Sequence, residues 1–445
     1  MKCRFCQHEL THEFVDLVNS PPSNSFLSLE ELNEPEIFYP LRLLVCGNCF
    51  LVQIDEYKKS SEIFDQDYAY FSSFSTSWLE HAKRFQEMIT ERLQLNAASH
   101  VIEIASNDGY LLQYFVQKQI PCLGIEPSTN TAQVARERGV DTLEDFFGER
   151  LAKRLANEGK QGDLIIGNNV FAHVPDVNDF VTGLKTALRP GGVITMEFPH
   201  LMSLVEQNQF DTIYHEHFSY LSFHTARLIF EKQGLELFDV EQLPTHGGSL
   251  RVYGKHKEDT AKDISPNVDA LLLEEKSRGM QTVEYYQGFQ KAVDRVKNGL
   301  VSFLLEQKKS GKTVAAYGAA AKGNTLLNYC GIRKDLVAFV ADASPHKQKK
   351  FLPGSHIPVV HASEIRRVKP DFVLVLPWNI RDEIMEQLSY ISDWGGKFVT
   401  AVPEIETYNL VTKGNHSGHH VIWQGRRTNE LVKGKYPCFQ AVDHT

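Results

Sequence analysis

No window of this sequence approaches the ~20 consecutive apolar residues of a membrane span, so a transmembrane protein is not expected. Positive charge is also short. Lys and Arg number 47 against 56 Asp and Glu, for a formal net charge of −9. Phosphate backbones are held mainly by Lys and Arg, so a general nucleic-acid binder is not expected either. The opening MKCRFCQHEL lacks the charged-then-apolar order of a signal peptide, which points to a cytoplasmic protein. Cysteine is sparse and odd in number, seven in all, which does not suggest a disulfide framework in a reducing compartment. Glycine is missing where phosphate-binding loops require it. There is no GxGxxG, and the absence of GK[ST] excludes a P-loop. What is present is an ordinary soluble composition, 42% apolar and 23% charged, over 445 residues. That length is too great for one core and suggests roughly three domains.

Four of the cysteines form two CxxC pairs, Cys3 with Cys6 and Cys46 with Cys49. Each CxxC turn points two thiolates at one centre, and two turns complete a closed tetrahedral site of the kind that holds structural zinc. Gly47 suits a tight knuckle. The 39 residues between the pairs require an excursion, and it contains the turn-rich NSPPSNSF. A closed site leaves no position for a substrate, so the metal is expected to hold the fold. Unrelated buried cysteines or a redox CxxC are the other readings.

In the middle of the chain, HVIEIASNDGYLL reads as a buried parallel strand, a small-residue loop and a helix. This is the opening of a doubly wound α/β domain. The next strand, CLGIEPS, ends at Glu126, 17 residues after Gly109, near the place of a ribose-binding acid. GDLIIGNNVFAHV and LRPGGVITMEFP supply further strands, the first ending near Asn168 and Asn169. A loop with Gly109 as its sole glycine is poorly suited to a pyrophosphate and suits a cofactor without phosphates, such as S-adenosylmethionine. Glu103 is then expected beneath its amino-acid end, Glu126 at the ribose and Asn168 near the methionine part. A doubly wound domain without a cofactor is the alternative.

Residues 214–220 read YHEHFSY. In an extended segment alternate residues share a face, so His215 and His217 would oppose Tyr214 and Glu216; in an irregular segment all four can converge. Three readings compete. A metal site needs a third ligand that Glu216 is badly placed to give. A structural reading makes the histidines satisfied groups at a sheet edge. Acid/base chemistry is favoured: imidazole is a suitable base near neutral pH, a carboxylate can orient it, and tyrosines can donate to a developing oxyanion.

EIASNDGYLL, GIEPS, NNVFAHVPD, YHEHFSYLS and HGGSLRVY, behind a four-cysteine module, together resemble the NDP-sugar C-methyltransferases. The likeness covers about residues 1–403. It implies a zinc-binding module over 1–66, a methyltransferase domain over 67–256, a Rossmann-like α/β domain over 257–403, and an extension over 404–445 that lies outside it. It implies S-adenosylmethionine and structural zinc as cofactors and a nucleotide sugar as substrate, with Ser106, Asn107, Gly109 and Asn169 joining Glu103, Glu126 and Asn168 at the cofactor. It implies His217 as base, Glu216 and Tyr214 beside it, and His173 and Tyr68 at the same site, with Tyr70 as the other tyrosine that could turn inward. The family has glycine where this chain has Ala105.

The charged stretch 271–312 reads as helix bridging two domains. TVAAYGAAAKGNTLLNYCG then begins a second doubly wound unit, with strands in LVAFVADAS, DFVLVLPWN and GGKFVTAVP. Backbone N–H groups and Lys322 at a helix start suit an anion, or the glycines simply allow tight packing. By the resemblance, Tyr317, Lys322, Asn324 and Lys347 are candidates for holding the substrate's nucleotide. A duplication is conceivable, although no repeat stands at a fixed period. In 404–445, NHSGHH reads as a loop, and the remainder has too few apolar positions for a domain. The leading expectation is carbon methylation at C3 of an NDP-4-keto-deoxysugar through an enolate. The rivals are an O- or N-methyltransferase of a small metabolite and a non-catalytic zinc-module binding protein. The oligomeric state is not readable.

Overall fold

A computed structural model describes residues 1–59, 62, 71–415 and 418–427, the segments 410–423 and 426–427 by backbone alone. Three sheets organise it. The first joins β1 (His12–Ser20), β2 (Tyr39–Val45), β3 (Val52–Ile54) and β9 (Ser219–Tyr220), each neighbour antiparallel. Its last strand comes from 165 residues further along the chain, directly behind the YHEHF segment.

The central sheet holds β4 (Val101–Ile104), β5 (Cys122–Ile125), β6 (Thr142–Leu143), β7 (Gly162–Asn168), β8 (Leu188–Pro199), β10 (Leu235–Leu243) and β11 (Ser249–His256). The order is β10-β11-β8-β7-β4-β5-β6, with β11 antiparallel to both its neighbours, β10 and β8, and the other pairs parallel. Val101 to Ile104 are buried on both faces, as expected of a parallel strand that helices cover above and below. The covering helices are locally signalled. Ser75, Asp176 and Ser222 each accept a backbone N–H of the first turn, starting the helices Thr76–Leu93, Val177–Ala187 and Phe223–Lys232.

The third sheet contains β12 (Val314–Tyr317), β13 (Val340–Asp342), β14 (Val359–His361), β15 (Phe372–Val375), β16 (Lys397–Thr400), β17 (Glu406–Asn415) and β18 (Gly418–Arg427), in the order β14-β13-β12-β15-β16-β17-β18. The expectation of a loop-like extension after 403 is thereby corrected. Glu406–Asn415 and Gly418–Arg427 form an antiparallel pair that completes this sheet, and Gly418, His419 and His420 of NHSGHH lie in β18. The stretch 271–312 is helical at Pro266–Ser277 and Phe289–Lys309, with a 3-10 turn between.

The N-terminal module has no private core. Its sheet residues Phe14, Val15, Leu41 and Leu43 share a hydrophobic cluster with Phe218, Val293 and Leu326. Its cysteines and Leu51 pack with Phe171, Phe198 and Phe223 of the central domain. No helix among the described residues is long and apolar enough to cross a membrane.

Candidate active site

The cofactor edge is built from the loop after β4. Ala105, Asn107 and Gly109 all have positive φ (54°, 50° and 75°), so the chain doubles back tightly over the strand ends. Gly124 of β5 is needed beneath it, because a Cβ there would lie 2.5 Å from Ser106 Oγ. Glu126 is buried and accepts the N–H groups of Asn107 and Ser128, both at 2.9 Å, so it clasps the loop from the next strand. Glu103 is fully buried, and burial raises its carboxyl well above the usual range, partly offset by the Tyr110 hydroxyl. Asn168 donates to that hydroxyl at 3.3 Å. Glu197, at the end of β8, is held by His81 (2.9 Å), Arg251 (2.8 Å) and Thr245 (2.9 Å). Burial pushes its pKa up, but His81 and Arg251 outweigh that and leave it below its usual value.

A loop ringed by carboxylates and amides fits a cationic cofactor with ribose hydroxyls and does not fit a pyrophosphate. Trp78 adds an aromatic wall, its ring 4.9 Å from His81, 5.9 Å from Tyr110 and 5.1 Å from His246. Asn107 Oδ1 also accepts the N–H of Ser72, and Asp108 accepts Ser73, which fastens the entry to the first long helix onto the cofactor loop. Tyr68 and Tyr70 lie outside the described residues, just ahead of this fastening.

The YHEHF segment is irregular, a turn in which His217 N–H bonds the Tyr214 carbonyl at 3.0 Å. This is the irregular case of the two expected, but the four side chains do not all converge. His215 points away, bonds the Pro40 carbonyl at 3.1 Å and sits edge-on to Tyr39 and Tyr57. His217 turns inward, its ring centroid 4.1 Å from Tyr214 and 4.6 Å from His173. Its Nδ1 lies 3.0 Å from the Thr212 carbonyl. A carbonyl only accepts, so Nδ1 carries the proton and Nε2 is the lone-pair nitrogen. Burial, then His173, His246 and Lys322, push the His217 pKa well below 6.5, and burial takes His173 to about 4. Both imidazoles are neutral at pH 7. The Glu216 side chain is buried and accepts from Asn24 Nδ2 at 2.7 Å, which brings the NSPPSNSF loop of the N-terminal module to the site.

The C-terminal domain forms the opposite wall. Lys322 Nζ donates to Asn379 at 2.6 Å and sits 4.9 Å over the Trp378 ring. It makes no ion pair among the described residues, although Asp211 is near enough to favour its charge. Trp378 Nε1 donates to the buried Asp211 at 2.7 Å. Asn324 is buried and donates to the Ser23 carbonyl, and Thr325 donates to the Ile213 carbonyl at 2.7 Å. Lys347 donates to the Ala319 carbonyl at 2.9 Å, 5.7 Å over Phe26. Tyr317 is buried and donates to Gln387 at 3.2 Å.

Of the expected site residues, His217, Tyr214 and His173 are brought together, with Glu216 beside them and Lys322 within electrostatic range. Asn324 bonds the module loop at Ser23, and Lys347 bonds the loop after β12 at Ala319. His246, Asp211, Trp78 and Trp378 were not singled out from sequence. His246 stands in HGGSL, where φ is 53°, and its Nε2 accepts from Asn169 at 3.0 Å. The glycine pair after a histidine was the available signal. Asp211 and Trp378 are single residues with none.

The expected metal site is compact. Cys3 and Cys49 sulfurs are 3.6 Å apart, Cys6 and Cys46 3.5 Å, and all four lie within 4.8 Å of one another. Tetrahedral zinc with Zn–S of ~2.3 Å sets sulfurs about 3.8 Å apart, so the four thiolates fit the ion. No other cluster of three or more metal-binding side chains occurs among the described residues.

Comparison with known proteins agrees with this division. Residues 3–64 match a zinc-binding domain family, 78–240 a methyltransferase domain family and 244–403 the C-methyltransferase C-terminal domain family. The chain is 33% identical over 403 residues to the C-methyltransferase NovU of Streptomyces niveus, covering 91% of this chain and 96% of that one. It is 26% identical over 95 residues to a ubiquinone biosynthesis O-methyltransferase of Bartonella tribocorum, covering 21% of this chain and 38% of the other. A crystal structure of an S-adenosylmethionine-dependent methyltransferase from Clostridium acetobutylicum aligns with a TM-score of 0.32 and 12% identity, over 40% of this chain and 92% of that one.

Proposed function

Because this chain belongs to the C-methyltransferase family and is an S-adenosylmethionine-dependent enzyme, we propose that its acceptor is a carbon acid, C3 of an NDP-4-keto-deoxysugar. The observation that carries this reading is the state of His217. It is neutral, half-buried, and fixed by Thr212 so that Nε2 is the free base. An O-methyltransferase needs only to ease a proton from a hydroxyl. A carbon acid needs a base and also donors for the enolate oxygen, and here His173 and Tyr214 adjoin the base.

His217 removes the C3 proton, and its imidazolium forms. The C3–H electron pair moves into the enolate, whose oxygen is held by Tyr214, His173 or Tyr68. Glu216 lies beside the cluster, tied to Asn24, and shapes its charge. S-adenosylmethionine, when bound, would supply an electrophilic methyl group, its sulfur leaving as S-adenosylhomocysteine. Glu103, Ser106, Asn107, Gly109, Glu126, Asn168 and Asn169 are the residues that would hold it. Tyr317, Lys322, Asn324 and Lys347 border the wall assigned to the nucleotide of the substrate. Cys3, Cys6, Cys46 and Cys49 hold zinc as a structural ion. We place the enzyme in the cytoplasm, with domains over 1–66, 67–256 and 257–403.

The test is deuterium uptake at C3 of a dTDP-4-keto-deoxysugar in heavy water, with S-adenosylhomocysteine present so that no methyl transfer occurs. Wild type should exchange, and His217→Ala should slow exchange by ~10²–10⁴-fold. Because the His217 pKa is lowered, the base stays unprotonated as pH falls through 6.5, and exchange should fail only at clearly lower pH. No exchange across a panel of nucleotide sugars would move the reading to O-methylation.

A further inference from the structure

The two histidines at the centre of the site stand on different elements, His173 after β7 and His217 before β9. Something must hold those elements in register. A side chain of the cysteine module that reaches both is Arg4, the residue after Cys3 in CRFC.

The half-buried Arg4 guanidinium donates to the Pro175 carbonyl at 2.7 Å, two residues after His173. It donates to the Ile54 carbonyl at 2.5 Å. Ile54 N–H in turn bonds the carbonyl of Phe218, the neighbour of His217, at 3.2 Å. The guanidinium carbon also lies 5.3 Å over the Phe218 ring. Arg4 N–H bonds Gln53 Oε1 at 2.9 Å, and the Gln53 amide donates to Cys3 Sγ at 3.2 Å. Gln53 lies opposite Ser219 in the β3–β9 pair. One planar fork thus ties the His173 segment to Ile54 of β3, whose N–H in turn bonds the segment that carries His217, and the two imidazole centroids are 4.6 Å apart.

We propose that Arg4 is a positioning residue for the reaction: its two-pronged contact with Pro175 and Ile54 sets the packing of His173 against His217. The metal's own part is to fix the knuckle from which Arg4 projects. This inference rests on the reading of His217 as the base, but the contact itself can be tested without any substrate.

Arg4→Lys keeps the charge and loses the fork. Asn178→Ala is the control, because Asn178 Nδ2 docks the same knuckle through the Arg4 and Phe5 carbonyls, both at 3.1 Å, without touching the fork. For each protein, zinc content, affinity for S-adenosylhomocysteine and the NMR cross-peak between the His173 and His217 ring protons are measured. The histidine signals are assigned with His173→Gln and His217→Gln. In Arg4→Lys carrying its full zinc and binding the cofactor analogue normally, the cross-peak should weaken at least twofold. The C3 exchange rate should fall by roughly ten- to a hundredfold, the scale of a displaced catalytic group. Asn178→Ala should leave both near wild type. The proposal is overturned if Arg4→Lys leaves the cross-peak intact, if Asn178→Ala weakens it equally, or if added zinc restores it. If wild type shows the cross-peak but no exchange, the assignment of His217 as base fails while the contact stands on the cross-peak.

Discussion

Ala105 occupies a backbone conformation that costs an L-residue energy. Its φ of 54° lies in the left-handed region, where a Cβ crowds the following carbonyl and glycine does not. The same loop holds Asn107 at 50°, a residue type that tolerates this region, and Gly109 at 75°. Ala105→Gly should therefore stabilise the protein by about 1 kcal/mol, less a few tenths for the greater freedom of glycine in the unfolded chain. Urea unfolding followed at the central domain checks the sign; a lower midpoint in the variant would show that the methyl packs usefully. At this scale the sequence was partly legible. The residue types of the loop and of YHEHFSY marked where chemistry sits. They did not mark direction: His215 and His217 are two positions apart yet face opposite ways, because Tyr214 and His217 close a turn that no period-2 pattern describes. Trp78, Asp211 and Trp378 left no mark, since an isolated aromatic or acid reads as core or surface until its neighbours are known.

Strands were the most legible elements, because the central and C-terminal parallel strands are short apolar runs closed by polar residues. The hairpin β17–β18 was not. Its residues, ETYNLVTKGN and GHHVIWQGRR, mix polar and β-branched positions in the way edge strands do. Its role emerges from comparison of the two large sheets. From their third to their fifth strands both run 3-2-1-4-5, as β6-β5-β4-β7-β8 and as β14-β13-β12-β15-β16. Both are then closed by an antiparallel hairpin, β10–β11 in one and β17–β18 in the other. The acid after the second strand even repeats its task. Glu126 takes the N–H groups of Asn107 and Ser128, and Asp342 takes those of Ala319 and Ser344, at 2.7 and 2.8 Å. The two sheets thus share the doubly wound order, but the hairpins join by opposite strands, β11 (the second of its pair) beside β8 and β17 (the first of its pair) beside β16. Glu406–Asn415 and Gly418–Arg427 belong to the sheet, with Tyr408 buried and bonded to Arg381 at 2.9 Å. Truncation after residue 403 would bare the ladder edge of β16 and uncover Phe398. The truncated protein should melt several degrees lower and self-associate more readily than the full chain, an outcome calorimetry and light scattering can check.

At the scale of the whole molecule, the site exists only where three parts meet, and this could not be read from one sequence. Asn24 comes from the N-terminal module, His173, Asp211 and His217 from the middle of the chain, and Lys322 and Trp378 from the C-terminal domain. Trp378 is the point of closure. Its indole donates to Asp211, in the 3-10 turn whose next residue, Thr212, fixes the His217 tautomer. Its ring also lies against Gly247 of the HGGSL turn, so closely that a Cβ there would meet it at 2.4 Å. Burial already raises Asp211 to about 6, with Lys322 and the indole N–H pulling it back. Trp378→Phe removes that donor and leaves a buried carboxylate oxygen without its partner, which costs about 1–3 kcal/mol. Asp211→Asn keeps an acceptor for the indole and should cost less. In the double variant the two losses should not add, because they share one contact, and a coupling of at least ~0.5 kcal/mol is expected in a thermodynamic cycle of denaturant midpoints. Additive losses would mean that Trp378 and Asp211 act independently. Coupled losses would make the C-terminal domain part of what holds His217, so that this imidazole is in place only when all three parts are closed upon one another.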